Sequence, residues 1–151
     1  MRFGSERDFS HMIAFNNELI QKWVDVNVII FKVDQVKTKL NSYDEANTRV
    51  YFQGVSAPCL VNWGRATMVQ DMMTINAEQP GVDFGFVRNM LWEKDFYPEV
   101  GDIILFDYRY YEINNINEIK LWIGQEDHSI EVICHTHLTR DQDLQLDMPT
   151  L

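Results

Sequence analysis

The hydrophobic period of this chain changes from 3.6 residues to 2 at Trp23 and never returns to a long helical pattern, which confines the fold to a β-rich architecture entered through one helix. Phe9, Met12, Ile13, Phe15, Leu19, Ile20 and Trp23 recur at three- and four-residue spacing. Ser5 and Asp8 stand ahead of them with the chemistry of a capping pair, so an amphipathic helix is expected. Its apolar stripe is expected to pack on the core of its own chain, with a neighbouring subunit as the alternative.

Beyond Trp23, Val24, Val26, Val28 and Ile30 alternate with Asp25, Asn27, Ile29 and Phe31, which predicts a strand continuing to Val33. Asp34 to Asn47 is polar and reads as a connecting loop. Arg49 to Phe52 and Cys59 to Val61 read as two strands or one interrupted strand, broken by Gly54 and Pro58. Met68 to Asn76 and Val82 to Arg88 alternate around Pro80-Gly81, as a hairpin would, and Asn89 to Asp95 has room for a short helical turn. Pro98-Glu99-Val100-Gly101-Asp102 is a turn feeding Ile103 to Phe106, and Asp107 to Arg109 connects this strand to Tyr110 through Ile113. Ile119 to Ile123 suggests another short strand. In His128 to Arg140, Ile130, Val132, Cys134, Thr136 and Leu138 share one face, and Glu131, Ile133, His135 and His137 share the other.

Seven or eight short strands with one convincing helix predict a mainly β fold: a small antiparallel β-barrel or sandwich with an N-terminal α-helix. Residues 1–140 form the expected single domain, and 141–151 an acidic tail. At 151 residues the domain needs neither metal nor disulfide for stability.

Thirteen Lys and Arg against 23 Asp and Glu give a charge of −10, which argues against gripping nucleic acid through its phosphates. The charge is uneven. Residues 1–92 hold 10 acidic and 9 basic side chains, and residues 93–151 hold 13 and 4. A solubilising face is one reading of this asymmetry, and a surface that repels an anion or meets a basic partner is the other. Cys59 and Cys134 have no metal-finger or CxxC spacing and read as buried free thiols. The first residues lack the apolar stretch of a signal peptide, and no run approaches a membrane span, so a soluble protein made in a reducing cytoplasm is expected.

The candidate chemistry is His135-x-His137, two imidazoles on one strand face, with His128, Glu131 or Glu112 as a possible third metal ligand. This is a weak echo of cupin-like metal enzymes, but the Glu expected a few residues downstream is missing. Ordinary strand histidines are therefore preferred. There is no GxSxG elbow or glycine-rich phosphate cradle, and His135 points away from Cys134. The adjacent carboxylates Asp44-Glu45 and Glu126-Asp127 read as solvated loop charge. No catalytic residue, metal or cofactor is assigned. Nine Phe, six Tyr and four Trp are more than one small core readily hides. Phe96, Tyr97, Tyr108, Tyr110 and Tyr111 fall near turns, where aromatics either close barrel ends or form contact surfaces.

Asn89-Met90-Leu91-Trp92, then Phe96-Tyr97-Pro98-Glu99-Val100-Gly101-Asp102-Ile103-Ile104-Leu105-Phe106 and Tyr110-Tyr111-Glu112-Ile113-Asn114-Asn115-Ile116, resemble the neck or head-closure proteins of T-even-type contractile-tailed bacteriophages. Leu40 to Ala46 leading to Arg49-Val50-Tyr51-Phe52, and Phe15 to Ile20 followed by Val24 to Val33, are similar to other elements of that family. Asp44 stands where a Gly is usual there.

The resemblance implies a non-enzymatic virion protein of the neck, made in the host cytoplasm. Identical copies would form a ring that closes the DNA-filled head. The portal with its adaptor lies on one side of such a ring and the tail on the other, and DNA passes through the lumen without sequence-specific binding. Contacts are expected on the loops Asp34 to Asn47 and Asp107 to Arg109, with Glu45, Arg49, Arg109 and Tyr110 as interface residues. The alternatives are a cupin-like metal-dependent enzyme or ligand-binding module using His135 and His137, and another virion part such as a tail-completion protein.

Overall fold

The computed structural model describes residues 5–40, 46–63, 81–118 and 130–139. Helix α1 (Glu6–Glu18) opens on a capping box in which Asp8 N–H donates to Ser5 Oγ and Ser5 N–H donates to Asp8 Oδ2. These reciprocal bonds satisfy two donors that a helix start leaves without an intrahelical partner. A π-helical turn (Leu19–Val24) continues the helix and ends on Asp25 in the left-handed conformation.

The strands that follow are β1 (Asn27–Phe31), β2 (Lys39–Leu40), β3 (Ala46–Thr48), β4 (Val55–Pro58), β5 (Leu60–Trp63) and β6 (Gly81–Val87). After the short helix α2 (Arg88–Glu93) come β7 (Ile103–Phe106), β8 (Arg109–Glu118) and β9 (Glu131–Leu138). Seven strands form one curled antiparallel sheet in the order β4-β1-β7-β8-β9-β6-β5, and β2 pairs with β3 separately.

The two edges of the curled sheet are consecutive in the chain. Only Cys59 separates β4 from β5, and its N–H donates to Val26 O at 2.9 Å. One segment therefore serves both edges, and Pro58 stands on an edge strand, the position where a residue without an N–H costs least. The expected interruption at Pro58 is a corner that brings the sheet round on itself.

Alternation does the rest. Val28 and Ile30 of β1, Val82, Phe84 and Phe86 of β6, Ile104 of β7, Tyr111 and Ile113 of β8 and Val132 and Cys134 of β9 share one buried cluster. Phe84 lies edge-on to Tyr111 at 5.7 Å and to Phe106 at 5.8 Å, linking β6 to the opposite wall. Each such pair contributes about 0.5–1.5 kcal/mol beyond the area it buries. Cys59 and Cys134 are free and fully buried, as the sequence suggests, and desolvation pushes both thiols up to about 12.

The outer face carries two smaller clusters. At one end Ile20, from the π-helical turn, packs with Val87 and Met90. At the other, Phe31, Tyr51 and Ile103 are covered by the segment around the Val33–Tyr51 bridge.

The expected packing of the helix stripe is corrected here. No residue of α1 is buried, Met12, Phe15 and Trp23 are exposed, and it is Ile20, with Leu19 partly buried beside it, that packs on Val87 and Met90 at the C-terminal end. The helix meets the sheet at β6, and the packing of the stripe is concentrated at that end. Strand readings also change: Val24 belongs to the π-helical turn, and Arg49 to Phe52 hold an isolated bridge, Val33 with Tyr51, rather than a strand. β1 ends at Phe31 rather than Val33, the polar Asp34 to Asn47 stretch contributes strand residues to the β2–β3 pair, and the described partners of β6 are β5 and β9. The predicted strands at 68–76 and 119–123 and the tail at 141–151 lie outside the described residues, as does the Asp44 departure.

The Pro98 to Asp102 turn has a physical basis. Gly101 has φ +96°, a conformation open to glycine at little cost. Asp102 is buried, and its carboxylate accepts N–H bonds from Val33 at 3.0 Å and Glu99 at 2.8 Å, tying the end of β1 to the turn before β7. Desolvation raises the Asp102 pKa above 3.8, outweighing the opposing pull of these two bonds and of Lys32. A raised folded pKa contributes stability that is present below the unfolded value and lost as pH rises through the folded one. Asp102→Asn does not titrate. The stability of the natural chain relative to this variant should therefore fall as pH is raised from below 3.8, levelling off above the raised value. Urea titrations of both chains across that window check this, and a difference that rises with pH would refute it.

Candidate functional site

β7 and β8 form a two-residue hairpin whose register, Phe106 opposite Arg109, leaves Asp107 and Tyr108 as its tip. Asp107 has φ 48° and Tyr108 φ 60°. Two successive positive φ values fit a type I′ turn, whose twist matches the strands it joins and whose usual occupants are Asn-Gly or Asp-Gly. A tyrosine there pays the left-handed penalty of about 1–2 kcal/mol that glycine avoids. It is also 95% exposed, so no intrachain packing offsets the strain.

Other aromatics stand near this end of the sheet. Trp63, at the end of β5, is exposed and contacts Phe106, the residue before the tip, at 5.9 Å. Arg109, beside Tyr108, is exposed and has no ion-pair partner among the described residues. The tip thus presents an acid, a phenol and a guanidinium in a row.

The tip can be relaxed without touching the core. Asp107→Asn with Tyr108→Gly should raise the unfolding free energy by about 1 kcal/mol and Tm by about 2–4 °C, read from a thermal melt. A lower Tm would show that the turn is not of this type.

The structure separates the predicted contact residues. Arg109 is at the exposed tip. Tyr110 packs against the Phe31, Tyr51 and Ile103 cluster. Arg49 reaches across the outer face to Glu112, Nη1 to Oε1 2.6 Å, and this bond holds its pKa above the ordinary value. Glu45 lies outside the described residues. Tyr108 was legible as an aromatic near a turn, but its exposure needed the fold, because alternation does not say which residues of a two-residue loop leave the sheet. Trp23 and Trp92, both exposed, carry no local signal that separates them from core aromatics.

His135 and His137 share one face of β9, the outer one. His135 Nδ1 lies 2.7 Å from Asp83 Oδ1, directly across on β6, and His137 faces Asn114 at the bulge in β8. The interior, where small barrels hold ligands, is filled by Val132 and Cys134 from the same strand. Among the described residues no three His, Cys, Asp or Glu side chains converge as metal ligands. Of the third ligands considered from the sequence, Glu112 stands across from His137 but is engaged with Arg49, Glu131 lies further along β9, and His128 lies outside the described residues.

A second polar cluster lies at the far end of β8. Glu118 accepts the Tyr97 hydroxyl proton at 2.8 Å and pairs with Arg88 at 3.1 Å, while Arg88 sits 4.3 Å over the Trp92 ring. Burial, reinforced by Glu118, pushes the Tyr97 phenol up to about 12. Tyr97 is thus a neutral hydrogen-bond donor that anchors the loop before β7. Part of the C-terminal acidity is structural in the same way: Asp102 is buried, and Glu112 and Glu118 are paired. Glu93, Asp95 and Asp107 remain exposed.

Among the described residues no helix is long and apolar enough to cross a membrane. Comparison of the chain with family models, with curated proteins and with solved structures gives no match.

Proposed function

We propose that this chain is a structural protein of the phage neck, one copy of a ring that closes the DNA-filled head between the portal with its adaptor and the tail. The observation that carries the reading is the hairpin tip. A fully exposed tyrosine in a left-handed conformation is a cost to the isolated chain that contact with another protein surface repays. The hairpin also contains part of the sequence on which the resemblance rests, Ile103 to Phe106 and Tyr110 to Ile116.

Other features fit a subunit that is completed by neighbours. Trp23, Trp63, Trp92 and Phe15 are all exposed, and aromatic residues are enriched where protein surfaces meet. A ring requires different patches on its two sides, so that one copy's patch meets another patch on the next copy. The exposed carboxylates after residue 92 suit a lumen that DNA slides past, because like charge prevents phosphate from sticking.

The test is the position and copy number of the chain in a virion, obtained from a particle map with its density traced at side-chain resolution. Several copies in a ring at the neck are expected. A map in which the neck is complete without this chain would overturn the reading.

A further inference from the structure

We infer that the Asp107-Tyr108-Arg109 tip of one copy seats in a recess on the next copy, beside Asp25 and Glu93, as the head-to-tail contact of the ring; this rests on the ring reading above. The recess has a volume of about 250 Å³ and lies between the π-helical turn, α2 and the start of the β1–β4 pair. Asp25, Asn27, Pro58, Met90, Glu93 and Lys94 line it. That is smaller than the roughly 300–1,000 Å³ of pockets that take drug-sized ligands, and it suits one inserted side chain.

The two surfaces match in charge and chemistry. Asp25 and Glu93 have no ion-pair partner among the described residues, and neither do Asp107 and Arg109. Lys94 supplies the positive charge of the recess, and its Nζ donates to Ser56 O. Arg109 set against Asp25 and Glu93, with Asp107 toward Lys94, pairs both signs at once, an arrangement that fixes register and rejects the reversed approach. The Tyr108 ring then meets Met90 and Pro58, where a thioether and a proline ring offer apolar contact to an aromatic face. The tip and the recess are different patches on different strands, so the contact is heterologous and propagates from copy to copy until the rotation closes.

Cysteine pairing in the full-length chain tests this directly. Cys59 and Cys134 are buried with thiols pushed up to about 12, so they stay unreactive and new surface cysteines report alone. Tyr108 and Glu93 are both exposed, so neither substitution touches the core. Under mild oxidation the double variant Tyr108→Cys, Glu93→Cys should give a ladder of covalent oligomers on a non-reducing gel. Each single variant should stay monomeric, and an equal mixture of the two singles should stop at dimers.

Dimers from Tyr108→Cys alone would mean that tips meet tips, which overturns the proposal. Oligomers seen by sedimentation without a ladder would overturn this contact and leave the ring reading standing. A chain that remains monomeric at every concentration and gives no ladder would count against both. As an independent measurement, Arg109→Glu should raise the half-association concentration about tenfold or more, equivalent to about 1.4 kcal/mol. Adding Glu93→Arg in the same chain should recover most of that loss, and failure to recover it would also overturn the contact.

Discussion

Truncating Phe84 to alanine is expected to lower the unfolding free energy by about 3–5 kcal/mol. Phe84 is fully buried at the middle of β6, between Val61 of β5 and Cys134 of β9, and its ring spans the interior to Phe106 and Tyr111. Removing it deletes both edge-to-face contacts and leaves a void that a curled sheet, fixed by hydrogen bonds on every side, cannot collapse to fill. Domains of this size have a total stability of about 5–15 kcal/mol, so the variant should lose a large share of it. A urea titration should show a lower midpoint with an unchanged slope. Trp23→Ala, also an aromatic truncation, should change stability by no more than about 0.5 kcal/mol, because Trp23 is 83% exposed. Equal losses from the two variants would mean that the interior is not organised around Phe84.

That contrast also marks how far the sequence could be read. Val132, Cys134 and Thr136 were separable from His135 and His137 by parity alone, and the structure buries the first set and leaves the second on the outer face. The period of a strand is local information, so one strand suffices to read it. The helix stripe was equally periodic, yet Phe15 and Trp23 are exposed while Ile20 is buried. An amphipathic pattern says that a face can be covered, and what the fold places beneath it decides how much of it is. The contact surface was legible in part. Asp107 to Arg109 was recognisable as a turn between strands, but the two-residue register that leaves Tyr108 in solvent, lays Tyr110 on the outer-face cluster and turns Tyr111 inward is set by the pairing of Phe106 with Arg109. Arg49 was indistinguishable from a free surface cation because its partner Glu112 is 63 residues away.

Gly54→Ala is the second substitution with a large expected effect, and its sign is the informative part. Gly101 is the described glycine with a positive φ, so the backbone at Gly54 is one that alanine adopts without strain. On backbone entropy alone the change should stabilise the chain by about 0.4–1 kcal/mol. Space dictates the opposite. A Cβ at position 54 would lie 2.5 Å from Ile29 Cγ2 and 2.7 Å from Phe31 Cε1. Neither atom can move aside cheaply: the Ile29 methyl branches from Cβ with a stiff χ1, and Phe31 is fully buried in the cluster with Tyr51 and Ile103. The net result should be a loss of about 1–3 kcal/mol, the usual cost of overpacking. Phe31→Leu removes the ring atoms in the way at its own cost, so the double variant should be more stable than the sum of the two losses implies by at least about 0.5 kcal/mol. Strict additivity, or a Gly54→Ala chain more stable than its parent, would show that the segment before β4 does not lie flat on β1. The same close approach lets residues 49–54 cross the outer face and brings Arg49 to Glu112, so Gly54→Ala should also weaken that ion pair. A smaller loss on adding Glu112→Gln in the Gly54→Ala background than in the natural chain would register that weakening.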